Sequence, residues 1–97
     1  MLTHEDICKA VSKLAAQYNI NKAYYFGSYA KGMQNGDSDL DLLINFHIPS
    51  ISILSIAGLA VELEELLKVE VDILKLPLPK NTFLKIEKVV KCYGSQG

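Results

Sequence analysis

Arginine is absent: the basic side chains, ten among 97 residues, are all lysines. The chain therefore lacks the planar fork that grips phosphate or carboxylate with two parallel hydrogen bonds. Any phosphate it handles must meet a metal ion, a lysine, backbone N–H groups or an arginine of another chain. Neither sign of charge is in surplus, since ten basic and eleven acidic groups leave a net charge of -1. No global field marks a nucleic-acid or acidic-membrane binder, and direct nucleic-acid binding is not expected. Cysteine is scarce as well. Cys8 and Cys92 lie far apart and the start does not resemble a signal peptide, so a disulfide framework is not expected and a reduced, cytoplasmic setting is. The uncharged, strongly apolar stretch from Ile48 to Val61 falls well short of the roughly 20 residues that span a bilayer. A soluble protein without a membrane partner is expected. Hydrophobic residues make up 49% of the chain, enough for one core and not for two, which implies a single domain over residues 1–97.

What is present alternates between helical and strand periodicity. Thr3 with Asp6 is a weak capping signal, and Ile7, Val11, Leu14, Ala15 and Tyr18 recur at helical spacing, so a first amphipathic helix is expected from Thr3 to Tyr18. The aromatic-rich segment from Lys22 to Phe26 reads as a short strand entering a turn at Gly27. From Asp39 to Phe46 the chain is apolar apart from two aspartates and an asparagine, the pattern of a central strand with something polar on one face. Pro49 and Ser50 open a helix with apolar positions to Leu67, and Val69 to Leu76 reads as a third strand ended by Pro77 and Pro79. Asn81 caps a last helix in which Phe83, Ile86, Val90 and Tyr93 share a face. The expected fold class is α/β, a small sheet with helices packed on one face and the other face available for a site.

The chemistry concentrates in Gly27-Ser28 and in Asp39-Leu40-Asp41. Side chains alternate along a strand, so Asp39 and Asp41 share a face with Cα atoms roughly 6.5 Å apart, while Leu40 and Leu42 turn into the core. Two carboxylates this close repel unless one is protonated or a cation lies between them. Oxygen-only ligands favour Mg²⁺ or Mn²⁺ over zinc. A bare D-x-D is more often a solvated edge strand, but the flanking Leu40, Leu42, Leu43 and Ile44 argue for the sheet interior. Gly27-Ser28, where a strand turns into a helical segment, offers backbone N–H groups and a hydroxyl for phosphate oxygens. Gly27 to Gly32 has P-loop spacing, yet Met33 and Gln34 stand where Lys and Ser or Thr are required. Asp37, Asp39 and Asp41 imitate an EF-hand loop, which fails at Leu42 and Ile48.

Gly27-Ser28-Tyr29-Ala30-Lys31-Gly32, followed by Ser38-Asp39-Leu40-Asp41-Leu42-Leu43-Ile44, resembles the G-S-x-x-x-G then S-D-x-D-L signature of the DNA polymerase β-like nucleotidyltransferases. The compact length is similar to the minimal nucleotidyltransferase branch, which includes antitoxins. The resemblance implies a small mixed sheet with helices on one face. It also implies a third carboxylate from an apolar-Asp-apolar strand, matched here by Val71-Asp72-Ile73, with Glu70 as the rival on the same strand face. By the same resemblance, two Mg²⁺ ions are held by Asp39, Asp41 and Asp72, and Gly27 and Ser28 bind the triphosphate of ATP or another nucleoside triphosphate. Asp72 doubles as proton acceptor. Branch members often pair with a HEPN-type toxin, and some transfer AMP onto a tyrosine of it. The competing readings are a nucleotide-binding or partner-neutralising module without turnover, and an adenylyltransferase of the aminoglycoside type acting on a small molecule.

Other residues take plainer expectations. His4 and His47 share no spacing with Cys8 or Cys92, so a zinc site is not expected and both are expected to be ordinary surface or strand-end histidines. Lys31 reads as a solvated loop lysine, Tyr24 and Tyr25 as core or cross-strand fillers, and the late lysines as a solvated helix face. The helix from Ser50 to Lys68 spreads apolar residues around more of its circumference than one core face requires, which implies a covering chain and a homo-oligomer.

Overall fold

A computed structural model describes residues 2–32, 39–76 and 89–94. Helix α1 (His4–Tyr18) begins at Thr3, whose hydroxyl accepts from the Asp6 N–H at 3.2 Å while the Asp6 carboxylate accepts from the Thr3 N–H at 2.9 Å. This reciprocal pair is a full capping box, and the Thr3 backbone hydrogen bond holds the Asp6 carboxyl below its ordinary range. Asn19 ends the helix in the left-handed region at φ 58°, a conformation that asparagine tolerates better than most residues. Strand β1 (Ile20–Phe26) follows without a linker.

Gly27 then turns the chain into a single helical turn, α2 (Ser28–Lys31), and the chain returns as β2 (Leu40–Phe46). Helix α3 (Ile53–Leu67) leads to β3 (Val71–Lys75), and β4 (Val89–Gly94) is the last described element. The sheet order is β3-β2-β1-β4, with β1 antiparallel to β2 and β4, and β2 parallel to β3. A parallel pair needs a crossover, and α3 provides it. The sheet is thus mixed, as expected.

Both long helices lie over one face. Ile7, Val11 and Leu14 of α1 and Leu59, Leu63 and Leu67 of α3 share one core with Leu40, Leu42, Ile44 and Phe46 of β2. Alternation sends Asp41, Leu43 and Asn45 to the opposite face. Helix α3 starts at Ser52, whose hydroxyl accepts from the Ser55 N–H at 3.1 Å, not at Pro49-Ser50. Its buried stripe is Leu59, Leu63 and Leu67, and Ile53, Leu54 and Val61 are 81%, 82% and 52% exposed. The apolar surplus expected from the sequence is therefore at the surface. The helices are tied by the Tyr18 hydroxyl, which donates to the Glu62 carboxylate. No helix among the described residues is long and apolar enough to cross a membrane.

The expected last helix is corrected at its C-terminal end. Val90 and Tyr93 belong to β4, which pairs with β1 from Phe26↔Val89 to Lys22↔Gly94. Within β4, Val90 and Cys92 are the more buried and Val89 and Lys91 the more exposed, a period of two that two adjacent β-branched valines support. Pairing satisfies the free edge of β1, and that tertiary gain overrides the helical spacing. The rest of that predicted helix, Asn81 to Lys88, and Pro77 and Pro79 lie outside the described residues.

Candidate active site

The site is assembled where β1 ends and β2 and β3 begin. Phe26 pairs with Asp41 across β1 and β2, and Asp41 pairs with Asp72 across β2 and β3. Partners directly opposite in a ladder share a face, so Asp41 and Asp72 lie on the same side, away from α1 and α3. Asp39 sits one residue ahead of β2 and is exposed; Glu70 sits one residue ahead of β3 and is exposed too. The Leu40 N–H donates to the Glu70 carbonyl at 2.8 Å, which carries the ladder back to these two residues. The Glu64 carboxylate accepts from the Val71 N–H at 3.0 Å and fixes the start of β3.

The four carboxyl groups feel one another. Asp41 is half-buried, and its carboxyl is pushed up first by desolvation, then by the charges of Asp72 and Asp39. Glu70 is pushed up chiefly by a side-chain hydrogen bond with Asp39, with further contributions from the charges of Asp39, Glu64 and Asp72. The rivalry between Asp72 and Glu70 thus resolves into two neighbouring positions: Asp72 stands opposite Asp41 and Glu70 beside Asp39. Tyr29 of α2 is buried, and its hydroxyl is pushed up by burial and then by Asp39.

Gly27 closes the other side. Its φ is +75°, and a Cβ placed there would lie 2.7 Å from Asp41 Oδ2. Only glycine lets the turn backbone come this near the carboxylate. Ser28 is the first residue of α2, so Gly27-Ser28 forms the strand-to-helix turn that was expected; the side chains of Ser28 and Lys31 lie outside the described part, as do residues 33–38. Tyr25 is buried, in keeping with a core filler. The donor set around Asp41 is all oxygen, which suits a hard divalent cation and not zinc. Among the described residues, no three acidic, histidine or cysteine side chains converge closely enough to form a ready metal cage.

Residues 9–92 match the family described as Polymerase beta, Nucleotidyltransferase. The chain belongs to the polymerase beta nucleotidyltransferase family. This nucleotidyltransferase is 33% identical over 81 residues to a Methanocaldococcus jannaschii protein named provisionally as a protein adenylyltransferase, covering 84% of this chain and 82% of that one. It is similar in structure to a protein named provisionally as a minimal nucleotidyltransferase, with 41% identity, a TM-score of 0.61, and coverage of 70% of this chain and 68% of that one. The fold also matches a chain of a complex between a tri-AMPylated Shewanella oneidensis HEPN toxin and an MNT antitoxin, with a TM-score of 0.70, 18% identity, and coverage of 96% of this chain and 74% of that one.

A further contact was missed in the sequence. His4 Nε2 and Cys8 Sγ lie 3.2 Å apart, although no spacing shared by the two was read from the sequence. The signal was available, since residues four apart on a helix are neighbours.

Proposed function

We propose that this nucleotidyltransferase moves AMP from ATP onto a hydroxyl of a protein, a tyrosine of a HEPN-type partner, and so acts as an antitoxin. The observation that carries this reading is the row formed by the Gly27 turn, Asp41 and Asp72 on one face of the sheet. The protein acceptor is supported by the name of the Methanocaldococcus relative and by the AMPylated toxin in the Shewanella complex. A cytoplasmic setting fits an ATP donor and two free cysteines.

In this mechanism the backbone N–H groups of Gly27 and Ser28, with the Ser28 hydroxyl, hold the outer phosphates of the triphosphate. Asp39 and Asp41 would hold two Mg²⁺ ions together with Asp72, and Mn²⁺ would suit the same donors. Cations held there would neutralise the triphosphate and lower the pKa of the attacking hydroxyl. Asp72 takes the hydroxyl proton. The acceptor oxygen bonds to the α-phosphorus as the bond from that phosphorus to the bridging oxygen of pyrophosphate breaks, so AMP is transferred and pyrophosphate leaves.

A second copy of this chain docks along α3, where Ile53, Leu54 and Val61 present apolar surface to water, and the HEPN-type partner docks beside the aspartate face. A docked partner also supplies the arginine that this chain lacks and the acceptor that its small core has no room to build. Light scattering at micromolar concentration tests the self-association, for which a monomer is the contrary result. The transfer is tested by incubating the protein with α-labelled ATP, Mg²⁺ and a lysate of its own host, then identifying the labelled species by mass spectrometry. Label on a tyrosine of one host protein is expected. Nucleotide binding without transfer supports the partner-neutralising module instead, and label on a small molecule supports the aminoglycoside-like alternative.

A further inference from the structure

The first turn of α1 carries a constellation that nucleotidyl transfer does not use. His4 and Cys8 stand four residues apart on one helical face, with His4 Nε2 and Cys8 Sγ at 3.2 Å. The other ring nitrogen, Nδ1, lies 2.7 Å from the Tyr25 hydroxyl, and the two rings pack at a centroid distance of 5.7 Å. Tyr25 belongs to β1 and is buried, so the imidazole is oriented from the core. His4 is itself exposed and Cys8 is partly so. Solvent therefore reaches the gap between nitrogen and sulfur while the ring behind it is fixed.

We propose that His4 and Cys8 form a binding site for a thiophilic metal cation, Zn²⁺ being the borderline ion best suited to one imidazole and one thiolate. Tetrahedral zinc with bonds of about 2.0–2.3 Å sets its nitrogen and sulfur ligands about 3.5 Å apart, so the two atoms need open by only a few tenths of an ångström. In the metal-free state one proton fills the gap. On binding, the Cys8 S–H bond breaks, the proton leaves to solvent, and sulfur and Nε2 each donate a lone pair to the cation, so charge balances without any redox change. Tyr25 is the positioning residue: in the tautomer whose Nδ1–H donates to its hydroxyl, Nε2 is left as the donor to the metal. Water completes the remaining positions, because among the described residues no third histidine, cysteine or acidic ligand joins the pair.

Partial burial and then the nearby Glu5 push the Cys8 thiol above its ordinary value. Cys92 is buried, its thiol pushed up to about 12, and it is not a ligand. The Asp39–Asp41–Asp72 group is all oxygen and prefers hard cations, so the two sites sort metals by donor type.

Titration of the full chain with Co²⁺, read by the near-ultraviolet thiolate-to-cobalt charge-transfer band, tests the site without using catalysis. One band per chain is expected, bleached by Zn²⁺, abolished in Cys8→Ser, and weakened about tenfold or more in His4→Ala and in Tyr25→Phe. Asp41→Asn should leave the band intact, since cobalt on carboxylates gives no sulfur transition. Circular dichroism checks that each variant is folded, and the exposed His4→Ala substitution keeps the test valid if Tyr25→Phe is not. No band at millimolar Co²⁺, or a band that survives Cys8→Ser and disappears in Cys92→Ala, overturns the assignment.

Discussion

Along β2, Leu40, Leu42, Ile44 and Phe46 are almost wholly withdrawn from water beneath α1 and α3, whereas Asp41 and Asn45, on the alternate face, keep contact with it. The two faces meet different demands. The helix-covered side carries the burial that holds the sheet, and the carboxylate side accepts a cost: Asp41 is partly desolvated beside two like charges. A position chosen for packing alone would not be an aspartate there. The comparison teaches that stability and chemistry are separable along one strand, because a period of two assigns neighbouring residues to different tasks.

The sharpest way to break this comparison is Asp41→Asn. It should lower nucleotidyl transfer by about a thousandfold or more, on the order of 4 kcal/mol, while the melting temperature stays level or rises as repulsion is relieved. A parallel fall in melting temperature would show that the two faces are not separable. Leu42→Ala is the opposite experiment. It should cost about 2–5 kcal/mol in denaturant unfolding, with the transfer rate of the remaining folded protein little changed.

Gly27→Ala should affect both quantities, since it forces a side chain into the left-handed region and against Asp41 Oδ2, 2.7 Å from the new Cβ. A stability loss of about 1–3 kcal/mol is expected, with transfer reduced by up to about a hundredfold through displacement of the carboxylate. Unchanged transfer in a folded Gly27→Ala protein would place the chemistry elsewhere.

The smallest effect is the pH dependence. Asp41 has a folded-state pKa raised above its ordinary value of 3.8, so the folded state holds the proton more tightly than the unfolded chain. Its unfavourable contribution is therefore absent below the unfolded pKa, grows as pH rises through the raised folded value, and is constant above it. The stability difference between Asp41→Asn and the native protein should be present at neutral pH and close as pH falls below about 4. Added Mg²⁺ should narrow the same difference at neutral pH, because a cation relieves the repulsion in its own way.

Much of this organisation was legible in the sequence, and the exceptions have physical reasons. Helix α1, strands β1 and β2 and the turn at Gly27 follow from local periodicity and from glycine's conformational freedom. The strand-pair geometry of Asp41 and Asp72 is not local: only the parallel register of β2 on β3 sets them opposite, across an intervening helix that spacing cannot measure. Strand β4 was misread because Val90 and Tyr93 also fit a helical period, and the free edge of β1 that claims them cannot be seen from their own segment. Glu70 was recognised only as a rival to Asp72, since its contact with Asp39 arises from two chain segments meeting ahead of their strands. The His4–Cys8 pair is the reverse case, a local spacing that was passed over.

The most direct test of the account is transfer of label from ATP carrying it at either the α- or the γ-phosphate, using the purified protein, Mg²⁺ and its host partner. The account predicts that α-label becomes covalently attached to the acceptor, that γ-label leaves as pyrophosphate, and that both Asp41→Asn and Asp72→Asn abolish attachment while remaining folded. Attachment of γ-label, or undiminished attachment by folded Asp72→Asn protein, would contradict the claim that the carboxylates paired across β2 and β3 perform nucleotidyl transfer.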